Sequence, residues 1–224
     1  MASRKEEKER LRREREEREA AAAAKARRSR LLQLIGGVVV ACAVVAGVAF
    51  AVSSSGGSDN GADVDTDKLK AAAQASGCVY RSFPEEGRDH VTDKLTEADF
   101  KTNPPTSGKH NPTPAPEGIY VAGNEPEIEN WVHTLEHGRV LFQYRPGIEK
   151  STVTALEKLF NEDVKGSGGG YHSVLMRNNT KMPFQVAAVA WRHYMACREF
   201  TPQTIAALRI FRDELVDKGP ENVP

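Results

Sequence analysis

Net charge, cysteine and internal repetition are all scarce in this chain, and each shortage excludes something. Its 224 residues carry 31 basic and 31 acidic side chains. The balance averages two unlike parts. The first thirty residues hold 12 Lys/Arg against 7 Asp/Glu, leaving 19 against 24 for the rest. A mildly acidic body lacks the concentrated positive charge of a nucleic-acid binder, so no nucleic-acid partner is expected. There are three cysteines, Cys42, Cys78 and Cys197, too few for a disulfide-dense scaffold. No spacing repeats, which excludes solenoids and propellers. Ser107 near His110 sits among prolines without an orienting acid, so the logic of a catalytic triad is incomplete. No organic cofactor is indicated. What remains, 39% hydrophobic and 28% charged residues, fits one medium domain with appendages.

Residues 1–30 are almost wholly Glu, Arg, Lys and Ala, with opposite charges three or four apart and no apolar stripe, which reads as a charged cytoplasmic tail. Residues 31–52 follow without a charge. Some twenty apolar residues at about 1.5 Å each match a hydrocarbon core of about 30 Å, so a transmembrane helix is expected. Val39-Val40-Ala41-Cys42 loosely resembles a lipoprotein cleavage box, but the apolar run continues to Val52, and Cys42 reads as a small membrane-buried residue. Lys25, Arg27, Arg28 and Arg30 flank the near end, so positive-inside bias keeps the tail in the cytoplasm. The expectation is a single-pass protein of the cell membrane with everything after Val52 outside. Residues 53–64, rich in Ser and Gly, form a flexible linker. Residues 65–218 form the extracytoplasmic domain, and 219–224 a C-terminal tail.

Within that domain Asp67–Ala75 predicts a short helix, capped near Asp65 or Thr66 and ended by Gly77. Cys78 and Cys197, both outside the membrane, are expected to pair as a disulfide. Residues 83–118 are dominated by turn formers and carry His90 and His110, which points to an ordered functional loop. Strands are expected at 140–144, 172–176 and 184–191, the last two joined as a hairpin across Asn178-Asn179, with helices over 149–164 and from Pro202, capped by Thr201. The order implies an α+β fold, a small α/β sandwich with helices on one side of a mainly antiparallel sheet.

Trp131-Val132-His133-Thr134-Leu135-Glu136-His137-Gly138 is the most chemically loaded stretch. As a helix it sets His133 and His137 on one face, opposite Ile128, Trp131, Val132 and Leu135. Asn124 is expected to cap it, Pro126 to occupy its first turn and Gly138 to stand left-handed past its end. The polar face is expected to lie under the 83–118 loop.

Three segments carry a resemblance: Gly87-Arg88-Asp89-His90-Val91, Asn103-Pro104-Pro105-Thr106-Ser107-Gly108-Lys109-His110, and Val132-His133-Thr134-Leu135-Glu136-His137-Gly138. Together, over roughly Cys78 to Phe211, the chain resembles the actinobacterial domain-of-unknown-function 3105 family. Lys109 stands where members often have proline. The resemblance implies a membrane-anchored extracytoplasmic domain whose histidines are its characteristic residues, and implies no reaction.

Read from the residues themselves, His90, His110, His133 and His137 are candidate ligands for copper or zinc, since neutral imidazole binds both. Met182 is a further candidate whose thioether would favour copper; Met176 and Met195 are expected in the core. On this reading Glu136 is not needed for the ion. A rival reading takes His133-Thr134-Leu135-Glu136-His137 as the His-x-x-Glu-His of inverted zincin hydrolases, with Glu136 as general base and Asp213 or Glu214 as an acidic ligand. A third takes the domain as structural or as an interaction module. Arg139, Tyr144 and Arg145 could meet an anion but commonly serve strand ends. The sequence names no protein partner.

Overall fold

A computed structural model describes residues 64–221 and 223. The expected cytoplasmic tail, transmembrane helix and nearly all of the linker lie outside the described residues. Among the described residues no helix is long and apolar enough to cross a membrane.

Four helices and six strands are described. They run α1 (Thr66–Ser76), β1 (Val79–Ser82), β2 (Gly118–Ile119), α2 (Ile128–Glu136), β3 (Val140–Tyr144), α3 (Lys150–Phe160), β4 (Ser173–Arg177), β5 (Val186–Ala190), β6 (His193–Cys197) and α4 (Pro202–Leu215). One sheet of order β1-β6-β5-β3-β4-β2 holds all six strands. The β1–β6, β6–β5 and β5–β3 pairs are antiparallel, while β3–β4 and β4–β2 are parallel. The fold is therefore α+β with a mainly antiparallel sheet.

The expected hairpin across Asn178-Asn179 does not form, because β4 and β5 flank β3 on opposite sides. Every residue of β3 is buried, as suits a strand with neighbours on both edges and cover on both faces. Asn178 turns the chain across the end of β3. Its Nδ2 donates to Gln143 Oε1 at 2.7 Å, and its Oδ1 accepts from the N–H groups of Thr180 and Met182. The hairpin that forms is β5–β6, closed over Arg192 at φ 66°. The sequence reading missed β1, β2 and β6.

Side chains alternate between the two faces of the sheet. Val140, Phe142, Val186, Ala188 and Met195 meet Leu69 of α1, Leu156 and Leu159 of α3, and Leu208 and Phe211 of α4. Leu141, Val174, Met176, Ala187 and Val189 meet Trp131, Val132 and Leu135 of α2, with Leu95 and Phe100 from the long loop. Helices thus cover both faces rather than one. Each fully buried leucine or phenylalanine contributes about 1.5–3 kcal/mol.

The caps of the three-helix face follow the sequence. Asp65 accepts from the Lys68 N–H at 2.9 Å, and Gly77 ends α1 at φ 70°. Thr201 precedes Pro202, and its N–H donates to Thr204 Oγ1 at 3.0 Å. The helix expected over 149–164 stops at Phe160, with Asn161 as its C-cap. The β1–β6 register, in which Val79 faces Ala196, carries on to set Cys78 opposite Cys197, and the two form the expected disulfide.

Candidate metal centre

Helix α2 positions the site. Its apolar stripe of Ile128, Trp131, Val132 and Leu135 is buried against the sheet as expected. Its N-cap is Glu127, so Asn124 and Pro126 precede the helix rather than start it. Both serve the approach instead: the Asn124 N–H donates to Val121 O, and Pro126 O accepts from Asn179 Nδ2. His137 is the C-cap and Gly138 follows at φ 80°. A Cβ there would stand 2.9 Å from Asp217 Cα, so both conformation and space require glycine.

The polar side of α2 lies beneath the 83–118 loop. Asn130 Nδ2 donates to Thr113 O at 2.7 Å, Thr134 Oγ1 to Ala115 O at 2.9 Å, and the Asn111 N–H to Glu129 O at 3.1 Å. Val91 N–H donates to His110 O and His110 N–H to Asp89 O, which ties the His90 and His110 segments side by side. Three imidazoles meet as a triangle, with ring centroids 4.9 Å (His90–His110), 5.0 Å (His90–His133) and 4.7 Å (His110–His133) apart.

The proton positions of two rings follow from their partners. His110 Nδ1 lies 2.7 Å from Gly108 O, and His133 Nδ1 lies 2.6 Å from Asn111 O. A carbonyl only accepts, so each Nδ1 carries the proton. Burial pulls both pKa values below the ordinary histidine value, so the rings are neutral and each Nε2 presents a lone pair. The His110 Nε2 lies 2.9 Å from Glu136 Oε2, with both side chains at most 2% exposed. Neither atom has an aligned hydrogen bond. A lone pair thus faces a carboxyl oxygen, and a metal ion or a proton between them would satisfy both. On the other side His133 Nε2 is 2.9 Å from His137 Nε2.

Burial, then Glu221, raises the Glu136 pKa, and burial, then His133, lowers that of His137. Arg88 Nε stands 3.9 Å from Glu136 Oε1 and is itself gripped by Glu85 through two bonds of 2.8 Å.

One ligand atom from each of His90, His110, His133 and Glu136 falls within 4.8 Å of the others, and so does a second set of His133, His137 and Glu221. Of the expected ligands, three histidines share the first set, while His137 joins the second. Glu136 stands in the first set beside three of the histidines. Met182 lies in the apolar layer with Leu95 and Phe100. Asp213 and Glu214 sit on α4, across the sheet, paired with Arg212 and Lys68. Arg139 is occupied by Glu117, His137 O and Val223 O. Ser107 Oγ accepts from the Glu86 N–H. The sequence reading missed Glu221, whose only signal was its acidity 84 residues beyond His137. The chain after Leu215, read as a tail from 219, folds back onto the end of α2. Asp217 N–H donates to Gly138 O at 2.9 Å and Glu221 N–H to Glu136 O at 3.1 Å.

Fold and site define an α+β domain with a buried histidine–carboxylate cluster under a proline-rich loop. A family model described as a protein of unknown function, DUF3105, matches residues 90–222, more than half of the chain, and the chain belongs to that family. The match starts within the first of the three sequence motifs and runs past Phe211 to include Glu221. No curated protein and no solved structure matches the chain.

Proposed function

We propose that the domain binds a copper or zinc ion through His90, His110, His133 and Glu136. The observation that carries this is the buried His110 Nε2–Glu136 Oε2 pair, two acceptors 2.9 Å apart without an aligned hydrogen bond. The Nδ1–H groups of His110 and His133 on backbone carbonyls are the outer-shell bonds that orient metal-binding imidazoles. Neutral imidazole with one carboxylate is a borderline donor set suited to zinc and copper. Metal–ligand bonds of about 2.1 Å place adjacent ligands about 3.0 Å apart at right angles and about 3.4 Å apart in a tetrahedron. The 2.9 Å pair is close enough for an ion to bridge, and the donor set fits copper and zinc alike.

Elemental analysis of the full-length protein, purified without a histidine tag, should find one ion per chain, and His110→Ala should hold it at least a hundredfold more weakly. A wild-type protein that binds neither copper nor zinc, or a His110→Ala/His133→Ala variant of unchanged affinity, rejects the proposal.

The same proposal places the domain outside the cell membrane on a single anchor. Its support is the uncharged run 31–52 with its basic flank, and the Cys78–Cys197 disulfide, which suits an oxidising compartment. A cysteine introduced by Ser55→Cys should react with a membrane-impermeant thiol reagent in intact cells; reaction only after lysis overturns the placement.

A further inference from the structure

We infer that the centre has two stations which one ion occupies in turn: an inner station of His90, His110, His133 and Glu136, and an outer station of His133, His137 and Glu221. The His133 Nε2 is common to both. The inference rests on the metal-binding reading and adds how the ion comes and goes.

The two ligand sets overlap at His133 alone. The His133 Nδ1 carries a proton donated to Asn111 O, so the ring has a single ligand atom, and one lone pair holds one ion. The stations therefore alternate, which excludes a pair of ions held at once. Pivoting about Nε2 at a bond length of about 2.1 Å, the ion travels no more than about 4 Å between them.

Their settings differ. At the inner station the His110 and Glu136 side chains are 0% and 2% exposed. At the outer one His137 is 14% and Glu221 47% exposed, with Glu221 Oε2 3.3 Å from His137 Nε2. Both sets hold one carboxylate, so the ion moves without a change in the ligands' formal charge. The outer set has one imidazole fewer, so it binds more weakly and leaves a position for an incoming ligand. The partner this fits is a mobile chelating carrier, a small chelator or a peptide with imidazole or thioether donors, which takes or gives the ion at Glu221.

The outer carboxylate is held at its post by backbone. Glu221 N–H donates to the carbonyl of Glu136, the inner station's own acid, and Arg139 donates to Val223 O at 2.6 Å. Gly219 lies so close to α2 that a Cβ would stand 2.2 Å from Glu136 O. The C-terminal segment thus registers the outer ligand against the inner one.

Stopped-flow exchange of zinc with a chromogenic chelator, alongside equilibrium titration of the full-length protein, tests this. Wild type should bind one ion. Glu221→Gln and His137→Ala should slow both uptake and release at least tenfold while affinity falls less than threefold, because removing a waypoint alters rates and not the end states. His110→Ala should still bind one ion, at least a hundredfold more weakly, and exchange it fast. Two ions held together by wild type overturn the inference. So do Glu221→Gln and His137→Ala variants that lose as much affinity as His110→Ala, which means one merged site. Unchanged exchange rates overturn it too, because the ion then passes directly by exposed His90. Absence of both bound zinc and bound copper in wild type overturns the metal reading beneath it. Glu221 is exposed, so its substitution does not endanger folding.

Discussion

The two faces of the sheet are held by different means. On one face α1, α3 and α4 bury leucines and phenylalanines, and a disulfide joins the entrance of β1 to the end of β6. On the other, α2 packs an apolar stripe downwards but turns His133, Thr134 and Glu136 towards a loop. That loop is held largely by side-chain bonds to its carbonyls. The first face is stable because apolar surface leaves water, which is tolerant of detail. The second keeps polar groups buried at a cost, and each must find its partner. On the metal-binding reading, the costly face is the one with a ligand to hold.

The sharpest way to break the comparison is to weaken the stable face alone. Cys78→Ser with Cys197→Ser removes a cross-link spanning 119 residues, and should cost about 2–5 kcal/mol in denaturant unfolding. Metal affinity of the molecules that remain folded should hold. If the ion is lost in proportion, the two faces are one cooperative unit and the contrast fails.

The reverse experiment comes next. His110→Ala should lower zinc or copper affinity at least a hundredfold, equivalent to about 2.7 kcal/mol, measured by competition with a chelator. An affinity within a factor of three of wild type would move the site elsewhere.

Glu136→Gln sharpens the cost itself. Burial raises the Glu136 pKa, so the folded state holds its proton more tightly than the unfolded chain, and ionisation at neutral pH opposes folding. The variant should melt higher in chelator by about 2–4 °C, a gain on the order of 1 kcal/mol, while binding metal more weakly. A lower melting temperature in chelator would show that the carboxylate is structural.

The smallest effect is in pH. Burial lowers the pKa values of His110, His133 and His137 from 6.5. As pH falls, the unfolded chain takes up these protons first. Their contribution to stability is therefore full above the ordinary histidine value and is lost as pH drops through it towards the folded values. Thermal melts in chelator should decline across that window, and bound metal should be released in it, since ligand imidazoles must be unprotonated. The triple variant His110→Gln/His133→Gln/His137→Gln should flatten the decline. A slope that persists would assign it to other groups.

Sequence alone determined the parts whose causes are local or periodic. Asp65 and Gly77 bound α1, the stripe from Ile128 to Leu135 faces the sheet, and Gly138 takes the left-handed turn. In each, cap, period and turn are written within a few residues. The disulfide was legible because only two cysteines lie beyond the apolar run 31–52, and the meeting of loop and helix histidines because the 83–118 loop was expected over the polar face of α2; that His90 rather than His137 closes the triangle with His110 and His133 was not legible. Tertiary structure alone decided that β4 and β5 sit on opposite sides of β3, since an Asn-Asn turn looks the same whether it closes a hairpin or carries the chain across a strand end. It also decided that Glu136 joins His110 and that Glu221 reaches His137. A carboxylate far along the chain becomes a ligand only when backbone bonds bring its segment home, and no spacing in sequence encodes that distance.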